Sequence, residues 1–287
     1  MLTTRFIPES LVKTARRFDP AGQLLVIVMS ASLTYGIIES HSLGWLSAPE
    51  FGLAALVVVS LVSFIVVEQR RAEPLIELRF FRSRPFSGAN LIAVAAFGAV
   101  GGFLFLNTLY LQLGRGFSPL AAGIRVLPIA LMTLIFAPVS GRLVGTIGSR
   151  VPLLVAGLAL AGAGLMLTGA TKSTSTLWLT IAYAVFGVGF GLVNTPISTT
   201  ALGGMPAAQA GVAAGIASAA RQTGSTLGVA LVGAIVAKSA LHATSTGLDD
   251  SGWWVVVACG AMIVVVGFLS TTSSAQRSAA AAFDSGP

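Results

Sequence analysis

Between Glu77 and Asp249 the chain has no aspartate or glutamate. That gap leaves no paired carboxylates for acid–base chemistry through most of its length. Cysteine is as scarce. Cys259 is alone, so neither a disulfide nor a thiolate metal cluster can form within the chain. Charge of either sign is rare. Asp, Glu, Lys and Arg make up 9% of residues, where soluble domains carry roughly 25%. HExxH, G-x-S-x-G and cysteine–histidine pairings are missing, which argues against an enzyme and leaves no metal or cofactor to expect. No run offers a ring of charge or a filter-like loop, which weighs against a channel.

What the chain has in quantity is apolar length. Hydrophobic residues make up 55% of its 287 positions. They fall into eight runs: Gly22 to Ile38, Phe51 to Val67, Ser87 to Leu113, Leu120 to Ser140, Val151 to Ala170, Leu177 to Leu202, Ala210 to Ala237 and Trp253 to Leu269. Runs near 20 residues predict an all-α integral membrane protein of eight spans rather than a β-barrel. The formal net charge of +7 invites a nucleic-acid reading. The basic residues lie between spans, however, where the positive-inside rule accounts for them and no nucleic acid is needed. Arg5, Lys13, Arg16, Arg17, Arg70, Arg71, Arg79, Arg82, Arg84, Arg142, Arg150 and Arg277 fall on the side of the termini. Arg115, Lys172 and Lys238 fall on the other. This bias places both termini in the cytoplasm. Trp45, Trp178, Trp253 and Trp254 are expected to form the outer interfacial belt. His41 and His242 read as loop residues. No signal peptide is evident, and the tail from Thr271 to Pro287 reads as disordered.

The seventh run holds the sharpest feature, GVAAGIASAARQTGSTLG from Gly211 to Gly228. Gly211 pairs with Gly215, and Gly224 with Gly228, in the small-xxx-small spacing that lets membrane helices approach closely. Arg221 lies about eleven residues in, near mid-membrane at roughly 1.5 Å per residue. An arginine there costs on the order of 3 kcal/mol or more against lipid, so it should face protein or water. On a helical wheel Gly211, Gly215, Ser218, Gln222 and Ser225 share one face, and Arg221, Ala214, Ala217 and Gly228 the next. Val212, Ile216, Leu227 and Leu231 gather on the side assigned to lipid. Two readings of Arg221 stand: a residue of a transport path, or a packing helix's arginine tied to backbone carbonyls. With no carboxylate in spans three to seven, its charge must be met by carbonyls, water, a bound anion or an acid from outside.

Other runs carry kinks and polar groups. Span four has Pro128 and Pro138, and span six has Gly187, Gly189 and Gly191 followed by Asn194 and Pro196. They mark helices that move, or ordinary kinks in loose packing. Asn107 and Tyr110 share a face of span three, as cavity-lining groups or as interhelical glue.

Taken together the residues resemble the C-terminal part of a fourteen-span drug/proton antiporter of the major facilitator superfamily, the QacA/EmrB-like branch. The resemblance rests on LTYGIIES (Leu33 to Ser40) with Gly44-Trp45, EPLIELRFFRSRPF (Glu73 to Phe86), GFSPLAAGIRVLPIAL (Gly116 to Leu131) and the Arg221-Gln222-x-Gly224 core. GRLVGTIGSR, Gly141 to Arg150, resembles a degenerate copy of the superfamily's cytoplasmic loop signature. Gly141, Leu143, Gly148 and Arg150 match, but Gly145 and Thr146 stand where an acidic and a basic residue are usual. The gate's charge relay is in question at those positions, and a tight basic turn is the plain alternative.

The resemblance implies a division into a cytoplasmic segment (1–20), two extra spans (21–68), a cytoplasmic loop (69–86), a six-helix C-terminal bundle (87–270) and a tail (271–287). It implies six further helices before this segment, and these would hold the proton-linked acids. Spans three, four, six and seven would line a cavity with Phe103, Asn107, Tyr110, Phe190, Asn194, Arg221 and Gln222. The intact form would export drugs or other amphiphilic small molecules from the plasma membrane in exchange for protons, as in antibiotic resistance. The competing expectation is a truncated fragment, or a half-transporter subunit with no activity until it meets its missing N-terminal six-helix half.

Overall fold

A computed structural model describes residues 20–43, 47–70, 78–202, 210–242 and 251–272. The expected cytoplasmic segment before Pro20, most of the tail, Trp45, Glu73 to Glu77 and Asp249–Asp250 lie outside the described residues.

Among the described residues eight α-helices follow in order: α1 (Pro20–Leu43), α2 (Ala48–Arg70), α3 (Arg84–Leu109), α4 (Pro119–Ile147), α5 (Arg150–Leu167), α6 (Thr176–Leu202), α7 (Ala210–His242) and α8 (Ser251–Ser270). Each overlaps one apolar run. A 3-10 turn, Leu78–Arg82, leads into α3, and a π turn, Tyr110–Gly114, ends it. α1 and α7 continue through His41 and His242, which therefore lie in helical ends rather than loops. Among the described residues, seven helices, α1 to α6 and α8, are long and apolar enough to cross a membrane. The middle of α7 reads Arg-Gln-Thr-Gly-Ser-Thr and is the most polar stretch of any of the eight.

The helix ends follow local chemistry. Ser118 caps α4, its side chain accepting from the Ala121 amide at 3.3 Å, and Pro119 fills the first turn. Gly148 ends the same helix at φ +81°, a left-handed conformation that suits glycine.

Four helices stand side by side in the order α7, α3, α6, α4. Behind them α8 backs α3, α5 backs α6, and α5 and α8 pack together. The α1–α2 hairpin leans on α7 through α1. Glycines set these contacts. A Cβ on Gly224 or Gly228 of α7 would run into the carbonyl oxygens of Val94 and Gly98 on α3. A Cβ on Gly189 of α6 would lie 2.9 Å from the Ala156 oxygen of α5. Without hydrophobic drive between helices in lipid, such close backbone approach is what supplies packing energy.

The glycine spacing divides in two. Gly224 and Gly228 are buried against α3, while Gly211 and Gly215 meet nothing within 4 Å. Two further expectations are corrected. Val212 and Ile216 do not face lipid. They pack on a small cluster of Phe80, Phe86, Ala89, Ala201 and Ala213. The 3-10 turn carries Phe80, fully buried, across the ends of α3, α6 and α7 and covers that side of α7. Trp253 is not a belt residue either. It is 2% exposed and meets Phe103 edge to face at 5.5 Å, whereas Trp178 and Trp254 are exposed.

A candidate transport wall on α3, α6 and α7

Arg221 and Ser198 join α7 to α6. The guanidinium donates to Ser198 Oγ at 2.8 Å, and its Nε is buried with no acceptor. Ser198 in turn reaches the Asn194 carbonyl at 3.3 Å, and Asn194 Nδ2 donates to the Phe190 carbonyl at 2.9 Å. Phe190, Asn194 and Ser198 are four residues apart, so they form one stripe of α6. Phe97 of α3 closes the group. Its ring lies 5.4 Å from Phe190 at 74°, and Arg221 Cζ is 5.8 Å from its centroid. All five residues are half-buried. The arrangement offers two aromatic faces, an amide and a fixed cation along a single wall. Aromatic faces suit apolar or cationic groups, and the amide and guanidinium supply hydrogen bonds.

The tie to Ser198 also moves the charge. Cα–Cβ bonds lean toward a helix's N-terminus, and Ser198 is four residues from the end of α6, about 6 Å at 1.5 Å per residue. The guanidinium therefore lies nearer one end of the bundle than the position of Arg221 in its span suggests. Three acidic residues are described, Glu39, Glu50 and Glu68, all on α1 and α2. Among the described residues, α3 to α8 offer Arg221 no carboxylate.

Of the sequence-predicted wall residues, the structure brings Phe190, Asn194 and Arg221 together, with Gln222 exposed beside them. It places three others inside the bundle. Phe103 is fully buried, 4.1 Å from Phe186 and 5.7 Å from Tyr183. Asn107 is 1% exposed and accepts from the Tyr183 hydroxyl. Tyr110 donates to the Thr171 carbonyl at 2.7 Å. Buried polar groups in a bundle are mostly hydrogen-bonded, and the Asn107 carbonyl and the Tyr110 hydroxyl each make one bond that joins a helix to another helix or to a loop. Phe97 and Ser198 were not foreseen. The Asn194-to-Ser198 spacing could have pointed to the second. Nothing separates Phe97 from its neighbouring phenylalanines in the sequence.

The candidate kinks are unequal. Pro196 is buried, Pro128 half-buried and Pro138 exposed. Pro196 cannot donate to the Leu192 carbonyl four residues back. Ser140 of α4, fully buried, donates to that oxygen instead, at 2.6 Å. The stretch expected as a loop is mostly helix: Gly141 to Ile147 belong to α4, where Gly141 is open, Arg150 begins α5, and only Gly148, fixed by its positive φ, and Ser149 connect the two. Arg150 Cζ lies 4.4 Å over the Phe268 ring, and Ser149 Oγ is 3.4 Å from Thr199 Oγ1. Thr146 bonds back to the Arg142 carbonyl at 3.0 Å. The start of α5 is thus held to α8 through Arg150, and the turn before it to α6 through Ser149.

Residues 18–229 match the family model described as Major Facilitator Superfamily. The chain belongs to the major facilitator superfamily. It is 38% identical over 236 residues to the Multidrug resistance protein Stp of Mycobacterium tuberculosis, covering 82% of this chain and 44% of that protein. It is 35% identical over 228 residues to the Tetracenomycin C resistance and export protein of Streptomyces glaucescens, covering 78% and 42%. Quinolone resistance protein NorB of Staphylococcus aureus is 34% identical over 235 residues, covering 80% and 50%. The chain spans half, or a little less, of the length of these curated relatives. Membership makes it a multi-pass membrane protein of a transporter family, with relatives named for drug resistance and export.

Proposed function

We propose that the chain is the C-terminal part of a drug-efflux transporter of the fourteen-span branch, working by alternating access and coupled to protons. In this reading all eight helices span the membrane, both termini are cytoplasmic, and α7 is the polar span. α1 and α2 are the extra pair. α3 to α8 form one lobe that rocks against a six-helix lobe of the missing N-terminal half. The substrate is an amphiphilic or cationic small molecule, held along Phe97, Phe190, Asn194 and Gln222, with Arg221 as the fixed charge. The observation that carries this reading is Arg221 itself. It is half-buried and, among the described residues, supplied with one hydroxyl and no acid, in a helix whose neighbouring face is small and polar. Groups of that kind belong beside an aqueous path rather than in lipid.

Gly211, Ala214, Gly215, Ser218, Gln222 and Thr226 are all exposed and follow a helical stripe. They favour a partner surface on α7. A second reading follows from them: transport requires a separately made N-terminal lobe, and the chain alone is inactive. Dye efflux from cells making this chain alone, or together with an N-terminal six-helix segment, separates the two. Arg221→Ala in the active form is expected to abolish efflux while membrane insertion persists. Unchanged export would remove Arg221 from the mechanism.

A further inference from the structure

At the opposite end of the bundle from Ser198, two arginines meet one phenylalanine. Arg125 Cζ lies 3.8 Å over the Phe117 ring, and Arg115 Cζ lies 5.4 Å from the same centroid. Arg125 is six residues inside α4, about 9 Å along the helix from Pro119 at 1.5 Å per residue. Phe117 precedes the helix. The guanidinium therefore climbs to the helix end, as snorkelling arginines do. The exposed Trp178 and Trp254 open α6 and α8 at the same end, at the level where interfacial aromatics sit.

We propose that Arg115, Phe117 and Arg125 form a binding site for the phosphate headgroup of an amphiphile. The donor count leaves room for one. Arg115 donates to the Thr174 carbonyl at 2.9 Å, and Arg125 Nε is buried with no acceptor. Each guanidinium carries five N–H groups. A guanidinium lying on a ring face keeps its in-plane donors free, and their fork matches the oxygens of a phosphate. Two like charges on one ring repel each other, and among the described residues of α3 to α8 there is no carboxylate to relieve them. Leu120, Ile124 and Leu127 of α4 are more than half exposed, on the side of the helix away from Arg125. The guanidinium pair reads the phosphate, and Trp178 and Trp254 mark the headgroup level at which an amphiphile presents it. The proposal stands apart from the efflux reading and is tested without transport.

The purified chain is placed in nanodiscs of phosphatidylcholine with or without phosphatidylglycerol, and retained lipid is counted by native mass spectrometry. Each basic group near an anionic headgroup contributes about fivefold in partitioning, so Arg115→Gln and Arg125→Gln should each lower phosphatidylglycerol retention by about that factor. Arg125→Lys should keep most of it. Arg142→Gln, at the other end, should change nothing. A parallel arm adds glycerol 3-phosphate in phosphatidylcholine discs. A rise in thermal midpoint there supports the phosphate chemistry and assigns it to a soluble ester; no rise alongside phosphatidylglycerol retention assigns it to lipid. Should Arg125→Gln fail to fold, wild type and Arg115→Gln still decide. No preference of the wild type for either phosphate probe, or equal retention by wild type and the glutamine variants, overturns the proposal.

Discussion

Ser140 on α4 satisfies a carbonyl that Pro196 on α6 leaves bare. The proline has no N–H, the Leu192 oxygen one turn back loses its helical donor, and the Ser140 hydroxyl fills the gap at 2.6 Å. One hydrogen bond thus repairs a helix and ties it to its neighbour. Ser140→Ala should cost about 1–2 kcal/mol, the upper part of the range for interhelical hydrogen bonds in membranes. Pro196→Ala in the same molecule should return most of that loss, because the helix then supplies its own donor. Thermal midpoints of the two single variants and the double variant check this; additive losses would contradict it.

The two glycine pairs of α7 should answer differently to one added methyl. Gly224→Ala and Gly228→Ala push α3 and α7 apart at the backbone, so the folded yield should collapse. Gly211→Ala and Gly215→Ala meet open space. They should keep or raise stability, since alanine is the better helix former by about 1 kcal/mol. Size-exclusion profiles and midpoints in detergent read the difference.

Tyr183→Phe removes the donor that Asn107 accepts inside the bundle. Leaving that carbonyl buried and unpaired should cost about 1–3 kcal/mol. If Asn107 holds helices together rather than touching substrate, efflux per folded molecule should stay at the wild-type level. A changed substrate profile would return Asn107 to the path.

Phe80→Ala opens the plug over α3, α6 and α7. A fully buried phenylalanine cut to alanine typically costs about 3–5 kcal/mol. Protease nicking near the 3-10 turn should then rise sharply, with Phe81→Ala, an exposed neighbour, as the milder control.

The helices could be read from the chain because lipid asks for long apolar runs, and α2, α6 and α8 begin and end within three residues of the expected bounds. The side facing each neighbour could not. Val212 and Ile216 look lipid-facing on a wheel, and only the fold brings Phe80 back over them. Phe103 and Phe97 are alike in sequence, yet one is core and the other stands on the wall. That choice is made by the glycines that set how α3 turns against α7. Arg221 was legible because a charge in an apolar run is costly wherever it sits. Its tie to Ser198 was not, since the bond joins two helices across 23 residues.

The central claim is that the wall around Arg221 borders water. Cys259 is the one cysteine of this chain, so Cys259→Ser, with any cysteine elsewhere in the full gene product also replaced, gives a clean background. Single cysteines at Asn194, Ser198 and Gln222, with Leu158 on the outside of α5 as control, are introduced into the chromosomal copy. A membrane-impermeant thiol reagent is then applied to each face of native membranes. The account predicts labelling at the three wall positions and none at Leu158. Wall positions as unreactive as Leu158 from both faces would contradict it.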